Sequence, residues 1–220
     1  MKSNLHVIDA EENTPLSSIE EIVAELRAGK MVVVVDDEDR ENEGDLIMPA
    51  ETATPQAINF MITHGRGLIC VPILKKRAEQ LNIDLMPRRN IGPTSCAFTI
   101  SVDAKENGVT TGISASDRST TIQMLADEKY KADAFQTPGH IFPLIAREEG
   151  VLARPGHTEA SVDLARMAGF YPAGILCEIL NEDGTMARLP DLRRFARLHN
   201  LKIASIADLI AYRQKLRQAA

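Results

Sequence analysis

Tryptophan is absent and aromatic residues make up only 4% of the 220 residues, so no basic stripe interleaved with aromatics is available to stack on nucleic-acid bases. Basic residues are themselves outnumbered. The net charge is −6, which disfavours nucleic acid or an anionic membrane as a general partner but leaves room for a local basic pocket around a small phosphate. No apolar run approaches the ~20 residues of a membrane span, and the N-terminus lacks an apolar targeting core, so no membrane partner is expected and the protein reads as cytoplasmic. Cysteine is scarce too. Cys70, Cys96 and Cys177 are far apart in apolar segments and form neither a Cys-x-x-Cys pair nor a zinc spacing, as expected of small apolar residues in a reducing compartment. No Pro/Ser linker divides the chain and no solenoid-length repeat occurs, so residues 1–220 are expected to form one domain.

What is present is an interleaving of helical and strand-like segments. Ser17-Ser18 followed by Ile19, Ile22, Val23 and Leu26 predicts a capped helix that Gly29 ends, feeding the β-branched run 31–35. Thr54-Pro55 opens a second helix through about Ile62, and residues 68–73 read as a buried strand. Residues 97–102 alternate like a strand, helices are expected over 117–125 and from Thr158 to just before Gly169, and 173–180 reads as a strand. Leu192, Phe195 and Leu198 fall on a further helix, 202–206 on a strand, and a last helix runs to about Leu216. Lys75-Lys76-Arg77 reads as a solvated helix start. The mixture of helical crossovers and hairpin turns implies a mixed sheet covered on both faces.

The densest chemistry lies at 36–45, where Asp36-Asp37-Glu38-Asp39-Arg40-Glu41-Asn42-Glu43-Gly44-Asp45 places seven carboxylates in ten residues directly after a buried strand. Such a loop repels itself unless a cation sits in it, and Mg²⁺ needs only one or two of these oxygens when substrate and water supply the rest. A solvated acidic turn is the plainer alternative. Arg154-Pro155-Gly156-His157-Thr158 runs into a helix whose free N–H groups, with a forked guanidinium nearby, suit a phosphate; His157 there is a metal ligand, an acid/base or a plain turn residue. Thr137-Pro138-Gly139-His140 repeats Pro-Gly-His seventeen residues earlier, as a second glycine turn. Glu178 interrupts the strand at 173–180 and is either a solvent-facing residue or a buried carboxyl suited to proton transfer. His6, His64 and His199 take no role in this reading.

With these segments in this order, and with Gly-Val-Thr-Thr-Gly-Ile-Ser-Ala at 108–115 and Asp-Gly-Thr-Met-Ala-Arg at 183–188, the chain resembles the 3,4-dihydroxy-2-butanone 4-phosphate synthases over about residues 17–213. The resemblance implies an α+β fold, three layers (α/β/α) around a twisted mixed sheet, assembled as a homodimer with sites near the interface. It implies a riboflavin-pathway lyase that converts D-ribulose 5-phosphate into L-3,4-dihydroxybutan-2-one 4-phosphate and formate. Carried over by position, Glu41 and His157 would ligate Mg²⁺ (or Mn²⁺), with two ions per site once substrate is bound. Arg40, Glu41, Asp45 and Glu178 would contact the sugar, Arg154, Pro155, Gly156, His157 and Thr158 would wrap the phosphate end, and His140 and Glu178 would move protons. Thr111, in the 110–114 turn, is assigned to phosphate binding, whereas Cys70 is given no role. The loop 87–95 is expected to act as a lid, and residues 1–16 to be loosely ordered. The zinc cysteines of a GTP cyclohydrolase II domain are not found, so no such domain is expected. A metal-dependent sugar-phosphate isomerase or aldolase, and a calcium-binding module using the acidic loop alone, are the rival readings.

Overall fold

Ser18 caps the first helix reciprocally with Glu21, its hydroxyl accepting from the Glu21 N–H and the Glu21 carboxylate accepting from the Ser18 N–H, so α1 (Ile19–Arg27) starts where the sequence says it must. Its apolar stripe, Ile19, Ile22, Val23 and Leu26, is buried, and Gly29 at φ +73° takes the left-handed conformation that ends it. The structure, a computed structural model, describes residues 15–87 and 96–219. The expected lid therefore falls, over 88–95, outside the described residues, as does the N-terminal segment through residue 14.

Among the described residues, seven strands form one mixed sheet: β1 (Val32–Val35), β2 (Gly44–Pro49), β3 (Cys70–Leu74), β4 (Val102–Ala104), β5 (Phe135–Ala146), β6 (Gly174–Glu178) and β7 (Ile203–Ser205). Their order is β4-β5-β3-β6-β2-β1-β7, with β1/β7 and β3/β5 parallel and the other neighbours antiparallel. The remaining helices are α2 (Pro55–Phe60), α3 (Lys75–Gln80), α4 (Ala115–Ala126), α5 (His157–Met167), α6 (Leu189–Leu198) and α7 (Ile206–Ala219). Every residue of β1 and β2 is buried, as a sheet covered on both sides requires.

Alternation along β2 assigns the two covering layers. A Cβ on Gly44 would meet the Leu192 side chain of α6, whereas the next residue, Asp45, faces His157 of α5, so α5 and α6 lie on opposite faces. α1 and α7 pack with α5; α2 and α4 pack with each other on the α6 side, where the turn after α2 sits over Leu46 and Cys177. No helix among the described residues is long and apolar enough to cross a membrane.

Three expectations are corrected. Residues 97–102 do lie along β5, but only Phe98 bridges it there, to Leu144, while Thr99 bridges Leu85 instead; the continuous ladder begins only at Val102, where the register shifts. Thr137 to His140 are not a turn but part of the twelve-residue β5, with Gly139 there because a Cβ would sit 2.1 Å from the Val102 carbonyl carbon. Arg77 is 0% exposed, not solvated: Nε donates to Leu125 O at 2.8 Å and Nη2 to Met124 O at 3.2 Å and Asp127 O at 2.8 Å. Leu192, Phe195 and Leu198 all lie on α6, with Leu192 and Ala196 its buried stripe and Leu198 exposed.

Candidate active site

The acidic loop is organised by its first residue. Asp36, just past β1, accepts from the Glu43 N–H at 2.8 Å through Oδ1, and from the Glu41 N–H at 3.2 Å and Arg40 Nη1 at 2.7 Å through Oδ2. Arg40 also reaches Glu41 Oε2 at 2.6 Å, so one guanidinium ties two acids of the loop together. From outside the loop, Arg188 donates to the carbonyls of Glu41, at 2.9 Å, and Asn42. Self-repulsion is thus partly offset before any ion is considered.

His157 is the first residue of α5 and is buried at 6% exposure. Its Nε2 lies 3.1 Å from Val34 O, and a carbonyl can only accept, so Nε2 carries the hydrogen and Nδ1 turns its lone pair toward the acidic loop. Burial, with the Arg40 and Arg154 charges adding to it against Asp36, pulls the imidazole down to about 4 and keeps it neutral. Ligand atoms of Asp36, Glu41 and His157 all lie within 4.8 Å of one another, the only group of three or more such residues found among the described residues. The trio suits a hard divalent ion such as Mg²⁺ or Mn²⁺.

β2 and β6 bring the next two carboxyls together, because Asp45 and Glu178 are directly paired in the antiparallel ladder. Asp45 is 3% exposed, its Oδ1 has no partner among the described residues, and its Oδ2 lies 4.0 Å from His157 Nδ1. Burial first, then the charges of Glu178, Glu43, Glu41 and Asp36, push its carboxyl well above the usual carboxylate range. Glu43 is raised for the same two reasons, burial and the neighbouring Glu41. A buried oxygen left without a partner among four other acids suits a cation and the hydroxyls of a polyol. Glu178 is held by the Leu68 N–H, 2.9 Å from Oε2, and Gly67 lies so close that a Cβ would come within 2.5 Å of the Glu178 carbonyl oxygen.

Glu41, Glu43, Asp45, His157 and Glu178 line one cavity of about 180 Å³, together with the basic and neutral side chains of Arg154, Thr158 and Cys96. Arg154 is aimed by Glu159, 1% exposed, whose Oε2 is 2.7 Å from Nη1, and a Cβ on Gly156 would meet Arg154 Nη1 at 2.3 Å and Arg40 Nη2 at 3.0 Å, so both guanidiniums lie against this bare backbone. Of the residues singled out from the sequence, Arg40, Glu41, Asp45, Arg154, His157, Thr158 and Glu178 meet here. Pro155 and Gly156 shape the turn without lining the cavity. His140 is not among the described lining residues; it sits on β5, its side chain 43% exposed, with Nδ1 2.7 Å from Asp103 Oδ2. Thr111 is exposed and also outside the cavity. Sequence reasoning missed Asp36, Glu43 and Asp103; period-2 alternation back from Asp45 is a signal for Glu43, but nothing in the sequence ranks Asp36 above its acidic neighbours or pairs Asp103 with a histidine.

A family model for 3,4-dihydroxy-2-butanone 4-phosphate synthase matches residues 20–212. The chain belongs to that family. Among synthase relatives, the riboflavin biosynthesis protein RibBA of Aquifex aeolicus is 57% identical over 203 residues, 92% of this chain and 50% of that protein. The 3,4-dihydroxy-2-butanone 4-phosphate synthase of Pseudomonas aeruginosa is 54% identical, over 90% of this chain and 54% of its own length. The chain spans about half the length of the curated relatives it matches. A solved 3,4-dihydroxy-2-butanone 4-phosphate synthase in complex with two magnesium ions superposes with a TM-score of 0.86 at 40% identity, covering 91% of this chain and 98% of that one. The α/β fold with its seven-stranded mixed sheet is therefore the synthase fold.

Proposed function

We propose that this chain is itself a 3,4-dihydroxy-2-butanone 4-phosphate synthase that converts D-ribulose 5-phosphate into L-3,4-dihydroxybutan-2-one 4-phosphate and formate. The observation that carries the reading is the convergence of Glu41 and His157, the paired Asp45 and Glu178 carboxyls, and the Arg40 and Arg154 guanidiniums on one cavity sized for a small sugar phosphate. A divalent ion held by Glu41 and His157, with Asp36 at hand and a second ion joining when substrate binds, would polarise the vicinal sugar oxygens and acidify the adjoining C–H. The superposing relative with two magnesium ions supports that count.

The protein's own groups then divide the work. Arg154, aimed by Glu159, and the free N–H groups at the start of α5 hold the phosphate end. Asp45 offers an unpaired oxygen to a sugar hydroxyl. Glu178, fixed by the Leu68 N–H, exchanges the proton on the C1 side, and His140 exchanges a hydroxyl proton. Because His140 is not among the described residues that line the cavity, we place it in a site shared by two copies in a homodimer. Co-expressed His140→Ala and His157→Ala chains would then regain activity that neither has alone, since one site of each mixed dimer keeps both histidines. Absence of rescue, with mixed dimers shown to form, would place His140 with its own cavity or outside catalysis.

The deciding assay is formate release from D-ribulose 5-phosphate with Mg²⁺, read against an EDTA control. A sugar-phosphate isomerase or aldolase would consume the same substrate without releasing formate, and no formate above the control would end the proposal.

A further inference from the structure

Two glycines, one in the 108–115 motif and one in β5, have no place in the site as described, yet both close around one buried acid. Asp103 lies on β4, 1% exposed, just past the register shift in the β4/β5 ladder. Both of its oxygens serve a single residue: Oδ1 accepts the His140 backbone N–H at 2.8 Å, and Oδ2 stands 2.7 Å from His140 Nδ1. Gly112, at φ +89°, covers the other side of the carboxylate so closely that a Cβ would be 2.1 Å from Oδ2. Gly139 lets β5 approach β4 equally closely and donates its N–H to Ser101 Oγ at 3.1 Å. A side chain at Gly112 would thus collide with the carboxylate, and one at Gly139 with the backbone that carries it.

A carboxylate only accepts, so the contact to Nδ1 requires the hydrogen on Nδ1 and leaves Nε2 as the bare nitrogen of the neutral ring. We propose that Asp103 is a positioning residue that fixes His140 in the Nδ1–H tautomer and presents Nε2 as the proton acceptor, with Gly112 as its seat. The inference rests on the reading that His140 moves a substrate proton. In that step the O–H bond of a sugar hydroxyl breaks and an Nε2–H bond forms. The imidazolium charge then faces the Asp103 carboxylate, and the same proton is returned from Nε2 later in the cycle, with none passing to Asp103.

Ring ¹⁵N spectra of the full chain test the tautomer without reference to turnover. In the wild type at a pH where His140 is neutral, Nδ1 is expected to be protonated and Nε2 bare; the opposite tautomer would overturn the proposal. In Asp103→Asn the amide can turn its NH₂ toward the ring, and the tautomer is expected to invert. The same variant should lose roughly 10²–10⁴ in kcat with KM within about threefold, as an Asp→Asn change costs in a Ser-His-Asp triad. Unchanged kcat in Asp103→Asn, alongside an inactive His140→Ala, would sink the positioning role alone. Full activity in His140→Ala would sink instead the reading on which it rests.

Discussion

Replacing Arg77 with methionine removes a guanidinium that no solvent reaches and that caps the end of α4 through three carbonyls, those of Met124, Leu125 and Asp127. Last-turn carbonyls have no partner within their own helix, so their bonds must come from elsewhere. Asp127 N–H already reaches Met124 O at 3.3 Å, which leaves Leu125 O as the group most dependent on Arg77. Each buried acceptor stripped of its partner costs about 1–3 kcal/mol. Against this stands the relief of burying a charge, visible in the downward push that burial gives Arg77. Tyr130 N–H likewise reaches Asp127 O at 3.2 Å, so one carbonyl is stranded outright; less that relief the loss comes to about 1–3 kcal/mol, and at about 2–4 °C per kcal/mol for a chain of this size the melting temperature should fall by about 3–10 °C. Arg77→Lys keeps the charge but not the planar fork, and should recover only part of the loss. Circular-dichroism melts and urea midpoints on the three proteins measure this directly. A melting temperature within 2 °C of wild type for Arg77→Met would refute the capping argument.

Saturating Mg²⁺ or Mn²⁺, at about 100 times its Kd, should stabilise the wild type by about 2.7 kcal/mol, and the shift should vanish in His157→Ala and Glu41→Gln; a persisting shift would remove those residues from the ligand set. In the metal-free protein, His157 is depressed from 6.5 to about 4, so the unfolded chain takes up this proton first as pH falls. Its contribution to stability is complete above about 6.5 and is lost on acidification toward 4, about 3 kcal/mol in all; a His157→Gln chain whose stability falls with the same slope over that window would contradict it. Asp45, raised by burial, acts with the opposite sign, its contribution being present at low pH and lost as pH rises through its folded value. Gly67→Ala forces a methyl against the Glu178 backbone and carboxylate, so kcat should drop at least tenfold while circular dichroism stays native. Wild-type kcat in that variant would show that the contact gives way freely.

Local signals carried the parts of the fold that local physics decides. The Ser18 capping box, the Thr54 N-cap with Pro55 in the first turn, and the all-buried β1 are each determined by a few neighbouring residues, and each was legible. β5 was not, because Pro138 and Gly139 are poor strand formers and are tolerated only where β4 demands a bare backbone, a requirement set by a segment more than thirty residues upstream. Arg77 failed for the same reason: a basic triplet looks solvated until a helix end some fifty residues later arrives to use it.

The acidic loop shows where sequence reading stops within a single motif. Seven carboxylates are chemically alike on paper, and the resemblance separated Glu41 and Asp45 from the rest without giving a physical reason. The reason is β2, which the sequence disguised because Asn42-Glu43-Gly44 reads as a turn. Once Gly44 is the first residue of a strand, alternation sends it toward Leu192 and sends Asp45 to the other face, beside His157 and opposite Glu178. Asp36 follows from the same geometry, since the residue that leaves β1 is the one placed to accept the N–H groups of Glu41 and Glu43 as the chain turns back. The loop's roles therefore depend on two strand ends whose separation is set by the β1/β2 ladder. Lengthening the 37–43 turn by one residue should weaken metal binding without removing a single carboxylate.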